Sequence, residues 1–210
     1  MKKTILISML AMLMNTACAQ DITLPTPCMA GEKSLSMTEA LAKRHSVRDY
    51  SNRTLNSQEI SNLCWAACGV SRDNEHRTAP TAMNRKEIRL FVFTADGTYE
   101  YIAEKNLLQL KATGDHRPLV AGGQDFVKSA PLSLVMVIDF EKFGAQDQRA
   151  MMMGCVDAGN VSENVNLYCQ SVGMVTVPRA TMDINGIRQL LRLSDKQLPI
   201  MNNPVGFPKE

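Results

Sequence analysis

The chain has 210 residues, 45% of them hydrophobic, and a formal net charge of +2. So slight a positive balance, with no basic run interleaved with aromatics, argues against a nucleic-acid-binding protein. No internal repeat or low-complexity tract is evident.

Lys2-Lys3, an apolar run from Ile5 to Met14, and Ala17-Cys18-Ala19 read as a secretory leader over residues 1–19. The run is too short to span a membrane. Thr16-Ala17-Cys18 also resembles the end of a bacterial lipobox. Two outcomes stay open, a free periplasmic form and one lipid-anchored through Cys18, and both export the protein. Residues 20–34, with Pro25, Pro27 and Gly31, read as a tether. Residues 35–210 are one domain's worth and long enough for a real core.

Ser36 and Glu39 form a capping-box pattern opening a helix through Ala40, Leu41 and Lys43. Arg44-His45-Ser46-Val47-Arg48-Asp49-Tyr50 follows where the helical pattern gives out. Two guanidiniums beside a hydroxyl suit an anion with several oxygens, such as a phosphate monoester. A basic helix end that merely complements the helix dipole has the same composition. Asn56 and Glu59 start a second helix, with Ile60, Leu63, Cys64 and Ala67 as its apolar face and Gly69 as its stop. Trp65 lies off that face, for packing under a loop or for a subunit contact.

From Ser71 to Arg89 the chain is polar and irregular. Within it, Pro80-Thr81-Ala82-Met83-Asn84 suits either close backbone approach to a ligand or an ordinary turn. Leu90–Phe93 and Tyr99–Ile102 form a predicted hairpin around Asp96-Gly97. His116 and Arg117 are assigned to a surface loop, and a short helix is centred on Phe126-Val127. Leu132–Ile138 is apolar throughout, as a strand covered on both faces is. The longest predicted helix runs from Asp147 to Ser171. Its small residues Gly154, Ala158, Gly159 and Ser162 suit a close helix partner, which points to a dimer seam. Gly173 ends it, Met174–Val177 reads as a short strand, and Asp183 caps a helix through Ile187, Leu190 and Leu191. Pro204–Lys209 is a last extended piece.

The placement of the six cysteines is poor for a disulfide framework. Cys64 and Cys68 share a helix face at a spacing too wide for a disulfide, and Cys155 and Cys169 stand about 21 Å apart on another helix. Cys64-x-x-x-Cys68 has no second Cys or His pair at zinc spacing, so buried thiols are expected and no metal.

Together these pieces resemble the nitroreductase family of flavin mononucleotide (FMN) enzymes, from about Leu35 to Lys209. The motifs carrying the resemblance are Arg44-His45-Ser46-Val47-Arg48, Pro80-Thr81-Ala82-Met83-Asn84, Asp157-Ala158-Gly159-Asn160 with Ser171-Val172-Gly173-Met174, and Pro204-Val205-Gly206-Phe207-Pro208. The compact form is closer to the branch that includes azoline-forming dehydrogenases. The resemblance implies an α+β fold with a mixed, largely antiparallel sheet flanked by helices. It also implies an intertwined homodimer with two FMN sites at the interface, the long helix in the dimer core and the C-terminal strand crossing between subunits.

By the same resemblance, Arg44 and Ser46 hold the FMN phosphate with His45 alongside, and Arg48 faces flavin N1 and the C2 carbonyl. Pro80, Thr81, Ala82 and Asn84 reach the partner's flavin, Pro178, Arg179 and Ala180 pass backbone near N5, and Lys209 joins the phosphate cluster. No side chain is assigned as acid or base, since the cofactor performs the electron chemistry. The implied activity is two-electron transfer to or from a nitroaromatic, quinone or other small organic substrate. NAD(P)H is the family's usual donor, but it is scarce where an exported protein works. The competing reading is a flavin carrier of the cell envelope with little turnover.

Overall fold

The computed structural model describes residues 20–28, 34–73 and 75–209; the segment read as a leader, residues 1–19, lies outside the described residues. In chain order the elements are β1 (Ile22–Thr23), α1 (Met37–Lys43), α2 (Ser57–Cys68), β2 (Val70–Arg72), β3 (His76–Arg77), β4 (Ile88–Thr94), β5 (Gly97–Ile102), β6 (Leu107–Thr113), α3 (Arg117–Ala121), β7 (Leu132–Asp139), α4 (Gln148–Ser171), β8 (Val175–Thr176), α5 (Ile184–Leu191) and β9 (Gln197–Gly206). The described strands form a main sheet in the order β1-β6-β5-β4-β7-β9-β8 and a separate β2-β3 pair. Each described strand pairing is antiparallel.

Both capping boxes form as predicted: the Ser36 side chain accepts from the Glu39 amide, and Asn56 does the same for Glu59. These reciprocal bonds satisfy orphan amides at the helix starts, which is why the starts are legible locally. The β4–β5 turn is held by Thr94, whose Oγ1 accepts from the Asp96 and Gly97 amides.

The apolar run of β7 has the expected explanation. Leu134, Met136 and Ile138 face a core shared with α2 and α4, while Val135 and Val137 face a second core shared with α3 and α5. Alternate side chains of a strand point to opposite faces, so a strand roofed twice must be apolar at every position.

Several expectations are corrected. The segment read as a tether is a bound strap over residues 20–28: β1 extends the sheet edge on β6, the Ser61 hydroxyl donates to the Pro25 carbonyl at 2.5 Å, and Asn62 exchanges two 2.8 Å bonds with the Cys28 backbone. Strand β6 is not among the predicted elements; most of its residues are only half-buried, which blurs the alternation. Arg117 opens α3 instead of sitting in a loop, and its guanidinium bonds to Asp115 and to the Ala130 carbonyl. β9 pairs with β7 and β8 of its own chain through Val205 and Gly206.

The small residues of α4 are also reassigned. Gly154, Ala158 and Ser162 recur at four-residue spacing on the buried face, against the sheet. A Cβ on Gly154 would stand 2.7 Å from Ile138 Cδ1 and 2.9 Å from its Cγ2. Gly154→Val is therefore expected to cost about 1–3 kcal/mol by overpacking, read as a lower urea midpoint. An unchanged midpoint would show that the sheet yields there. Gly159 alone of the four points outward, into open space.

Cys64, Cys68 and Cys169 are buried and, with Cys28 and Cys155, are free thiols. Burial pushes the Cys68 thiol up to about 12, so it stays protonated and packs as a small apolar group. Trp65 is half-buried and its indole N–H donates to the Val70 carbonyl at 2.9 Å, in keeping with packing.

Candidate functional site

The heptapeptide leaves α1 as a loop clamped at two points. The Val47 amide donates to the Thr176 carbonyl at 3.0 Å, and the buried Tyr50 hydroxyl reaches the carbonyls of Val47 (3.2 Å) and Pro204 (3.4 Å). Thr176 is itself held, its hydroxyl donating to the Pro204 carbonyl at 2.8 Å. Asn203 ties this strand pair to α4 by accepting from Ser162 at 2.7 Å and donating to Asn166 at 3.1 Å. Gly206 permits the closing turn, because a Cβ there would lie 2.8 Å from Pro131 and 2.9 Å from the Tyr50 ring.

Next to these clamps the functional groups are largely exposed. His45, Ser46 and Arg48 are exposed and Arg44 is half-buried. Among the described residues neither Arg44 nor Arg48 has a carboxylate partner, and the Ser46 hydroxyl has no hydrogen bond. His45 Nδ1 lies 2.8 Å from the Lys43 carbonyl. A carbonyl only accepts, so Nδ1 carries the proton and Nε2 is left free. Lys209 joins this end of the molecule, but its ammonium is paired with Asp49 at 2.6 Å. Arg53 lies over the Phe207 ring at 3.5 Å, which holds the final segment against the loop.

The Pro178–Ala180 segment meets the same region. Arg179 is buried, with its guanidinium turned inward to Gln124, Asn202 and the carbonyls of Val120 and Ala121. Its amide is also engaged, donating to the Asn202 carbonyl at 2.8 Å. Pro178 is half-buried and Ala180 exposed, which leaves the Ala180 backbone as the part of this segment free to meet a ligand.

The Pro80–Asn84 segment lies elsewhere. The Ala82 amide donates to Asp157 Oδ2 at 2.6 Å, the Thr81 hydroxyl accepts from the Lys86 amide at 3.1 Å, and the Asn84 amide donates to the Thr81 carbonyl at 3.1 Å. Met83 and Asn84 both take positive φ, 53° each, and both are exposed. Asp157 sits midway along α4, whereas Arg44 and His45 pack beside Asn166, Cys169 and Gln170. Asp157 and Cys169 are roughly 18 Å apart along the helix. One chain therefore does not bring the two clusters together.

Neither cluster alone encloses a ring-sized space suited to a flavin. The cleft at Arg44 and His45 holds about 10 Å³. A cavity of about 570 Å³ beside Asn84 is lined by charges that pair with one another, Arg77 with Glu104, Lys86 with Glu75, and Arg89 with Glu100. What the single chain does offer is a rigid loop of unpaired cations and a hydroxyl, the donor set that a phosphate monoester requires.

Two residues of the site escaped the sequence reading: Glu87, passed over in a polar stretch, and Asp157, read only as part of a helix motif. The signal available was a lone Glu directly ahead of an apolar strand.

Comparison with known proteins matches residues 41–207 to the model of the nitroreductase family. A protein of Methanocaldococcus jannaschii assigned to the nitroreductases is 29% identical over 187 residues, 83% of this chain and 92% of that one. An NADPH-dependent oxidoreductase of Staphylococcus aureus is 22% identical over 183 residues, 80% of this chain but 63% of that longer one. The crystal structure of a nitroreductase-type protein from Ralstonia eutropha JMP134 superposes with a TM-score of 0.85 at 29% identity, covering 92% of both chains. With the matched span running from α1 to the end of β9 and the fold shared throughout, this chain belongs to the nitroreductase family, a family of oxidoreductases.

Proposed function

We propose that the protein is an exported, FMN-dependent oxidoreductase that works as a homodimer, each site built where two chains meet. One observation carries this reading. The heptapeptide and Pro80–Asn84 present ligand-ready groups about 18 Å apart along α4, and the outer face of that helix exposes Met152 and Val156 between solvent and chain. A second copy covering that face would bring one chain's Pro80–Asn84 to the other's heptapeptide.

In this arrangement Arg44 and Ser46 hold the phosphate with His45 beside them, and Lys209 joins the phosphate cluster by exchanging its Asp49 partner for the phosphate. Arg48 faces the N1 side of the ring, where a fixed cation offsets the negative charge left by reduction. Pro80, Thr81, Ala82 and Asn84 come from the second chain, and Pro178 and the Ala180 backbone border N5. FMN, when bound, supplies two-electron chemistry between a reduced donor and an acceptor such as a nitroaromatic or quinone. The likeness to the NADPH-dependent oxidoreductase of S. aureus favours a nicotinamide donor. Export favours another reductant, or reversed use as a dehydrogenase.

The test is an FMN titration of the purified protein followed by fluorescence. Arg44→Ala with Ser46→Ala is expected to weaken binding by about tenfold to a hundredfold, the loss of one or two charge-assisted bonds. Equal affinity would remove both from the phosphate end, and a colourless protein that takes up no FMN would overturn the whole reading. Anaerobic mixing with NADH and NADPH then separates enzyme from carrier: bleaching supports turnover, and a flavin reduced by neither donor nor substrate supports the carrier.

A further inference from the structure

Behind Pro80–Asn84, on the side away from solvent, two carboxyl side chains are buried together. Glu87 is fully buried, and neither of its carboxylate oxygens has a hydrogen-bond donor among the described residues. Asp157, reaching across from α4, is 5% exposed and already gives Oδ2 to the Ala82 amide. The two carboxyls lie close enough to share a proton. Adjacent buried acids do not both ionise readily, because each charge lacks water and repels the other.

Two groups oppose this and are outweighed, the backbone N–H of Glu87 itself and, after it, Arg85. Arg85 pulls in the opposite direction, but its Nη1 is engaged with the Lys142 carbonyl at 2.5 Å. From β7, Asp139 meets Glu87 through the backbone, its amide donating to the Glu87 carbonyl at 2.9 Å. Burial first, then the bond to Asp157, push the Glu87 carboxyl up to about 8.

We propose that Glu87 and Asp157 are a positioning pair for the flavin-facing segment: Glu87 keeps one proton and donates it to Asp157, whose other oxygen anchors the Ala82 amide. The segment needs an anchor, since Met83 and Asn84 sit consecutively in the left-handed region, which side chains adopt only under constraint. When the proton leaves, two negative charges face each other and Asp157 is driven off Ala82. What the segment faces rests on the flavin reading above; the shared proton does not.

The sign follows from linkage. The folded Glu87 value lies above the unfolded one, so its contribution to stability is full below the ordinary carboxylate range and is lost as pH rises through about 8.

Two readouts on the full chain test the pair. Infrared difference spectra, wild type minus Glu87→Gln without flavin, should show a protonated-carboxyl band near neutral pH that disappears as pH rises through about 8. In Asp157→Asn the amide can donate to an ionised Glu87, so the band should vanish at lower pH. No band near neutrality, or one unmoved by Asp157→Asn, overturns the shared proton. FMN affinity of the wild type should fall at least about fivefold from pH 6 to pH 9.5, and in Glu87→Gln this dependence should flatten. A flat wild-type profile, or the same slope in Glu87→Gln, overturns the positioning role. A protein that binds no FMN at any pH sinks the flavin reading instead, and the infrared band then decides the shared proton by itself.

Discussion

Arg179→Ala is expected to lower the folding stability by about 3–5 kcal/mol and the thermal midpoint by roughly 10 °C. Arg179 is 8% exposed, and its guanidinium uses Nε on Gln124 (3.0 Å), Nη1 on the Val120 carbonyl (3.1 Å) and Asn202 Oδ1 (2.7 Å), and Nη2 on the Ala121 carbonyl (2.9 Å). No carboxylate pairs with it among the described residues; uncharged oxygens, two of them carbonyls in the last turn of α3, balance the charge. Burial pulls its pKa down, yet a guanidinium stays protonated in proteins. Truncation would leave Asn202 Oδ1 and the Val120 carbonyl buried without a donor, the costly half of breaking a hydrogen bond, while the Ala121 carbonyl keeps the Gln124 amide at 3.0 Å. Arg179→Lys keeps the charge but not the planar fork, so it should recover less than half of the loss. Urea denaturation measures both, and an alanine variant within about 1 kcal/mol of wild type would mean that water replaces the side chain. The consequence reaches the site, because the Arg179–Asn202 bridge sets where the Ala180 backbone lies.

The role of Arg179 shows what the sequence withholds. Its partners are 23 to 59 residues away in the chain, and nothing near Pro178 announces them. Features written within a few residues were legible: the two capping boxes, the Asp96-Gly97 turn, the Asp183 cap of α5 and the doubly covered run of β7. Features that depend on a distant partner were not. β1 is two residues long and exists because β6 offers an edge, and the half-buried positions of β6 dilute its own alternation. On α4 the period located the helix correctly, but small residues suit close approach to a sheet as well as to a helix. Only Ile138, pressed against Gly154, decides between them. The heptapeptide was legible as chemistry, two guanidiniums and a hydroxyl at a helix end. Its rigidity depends on Thr176 and Pro204 and was not. Glu87 was missed because a Glu beside Lys86 and Arg89 reads as a solvated charge, when its side chain in fact points inward.

A carboxylate placed on the outer face of α4 is expected to have the largest effect on assembly. Met152 and Val156 are four residues apart, hence neighbours on one helix face, and are 60% and 59% exposed. Gly159 continues that face with open space over it, and Leu167 lines an apolar groove of about 340 Å³ whose walls include Met37 and Val172, exposed like Leu41 beside them. Scattered exposed apolar residues need no explanation, but a row along one helix face does. In the proposed dimer this face is buried, and each added carboxylate would then lose water without gaining a partner. Met152→Asp with Val156→Asp should weaken association by at least about a thousandfold, read by sedimentation. Flavin should be lost at the same protein concentration, since each site would lose the Pro80–Asn84 segment of its neighbour. Folding should survive, because both side chains are already in water in the single chain. If the double variant remains dimeric and retains its flavin, the outer face of α4 is not the seam. If it becomes monomeric and still holds FMN, the two clusters do not serve one site, and the shared-site reading fails with them.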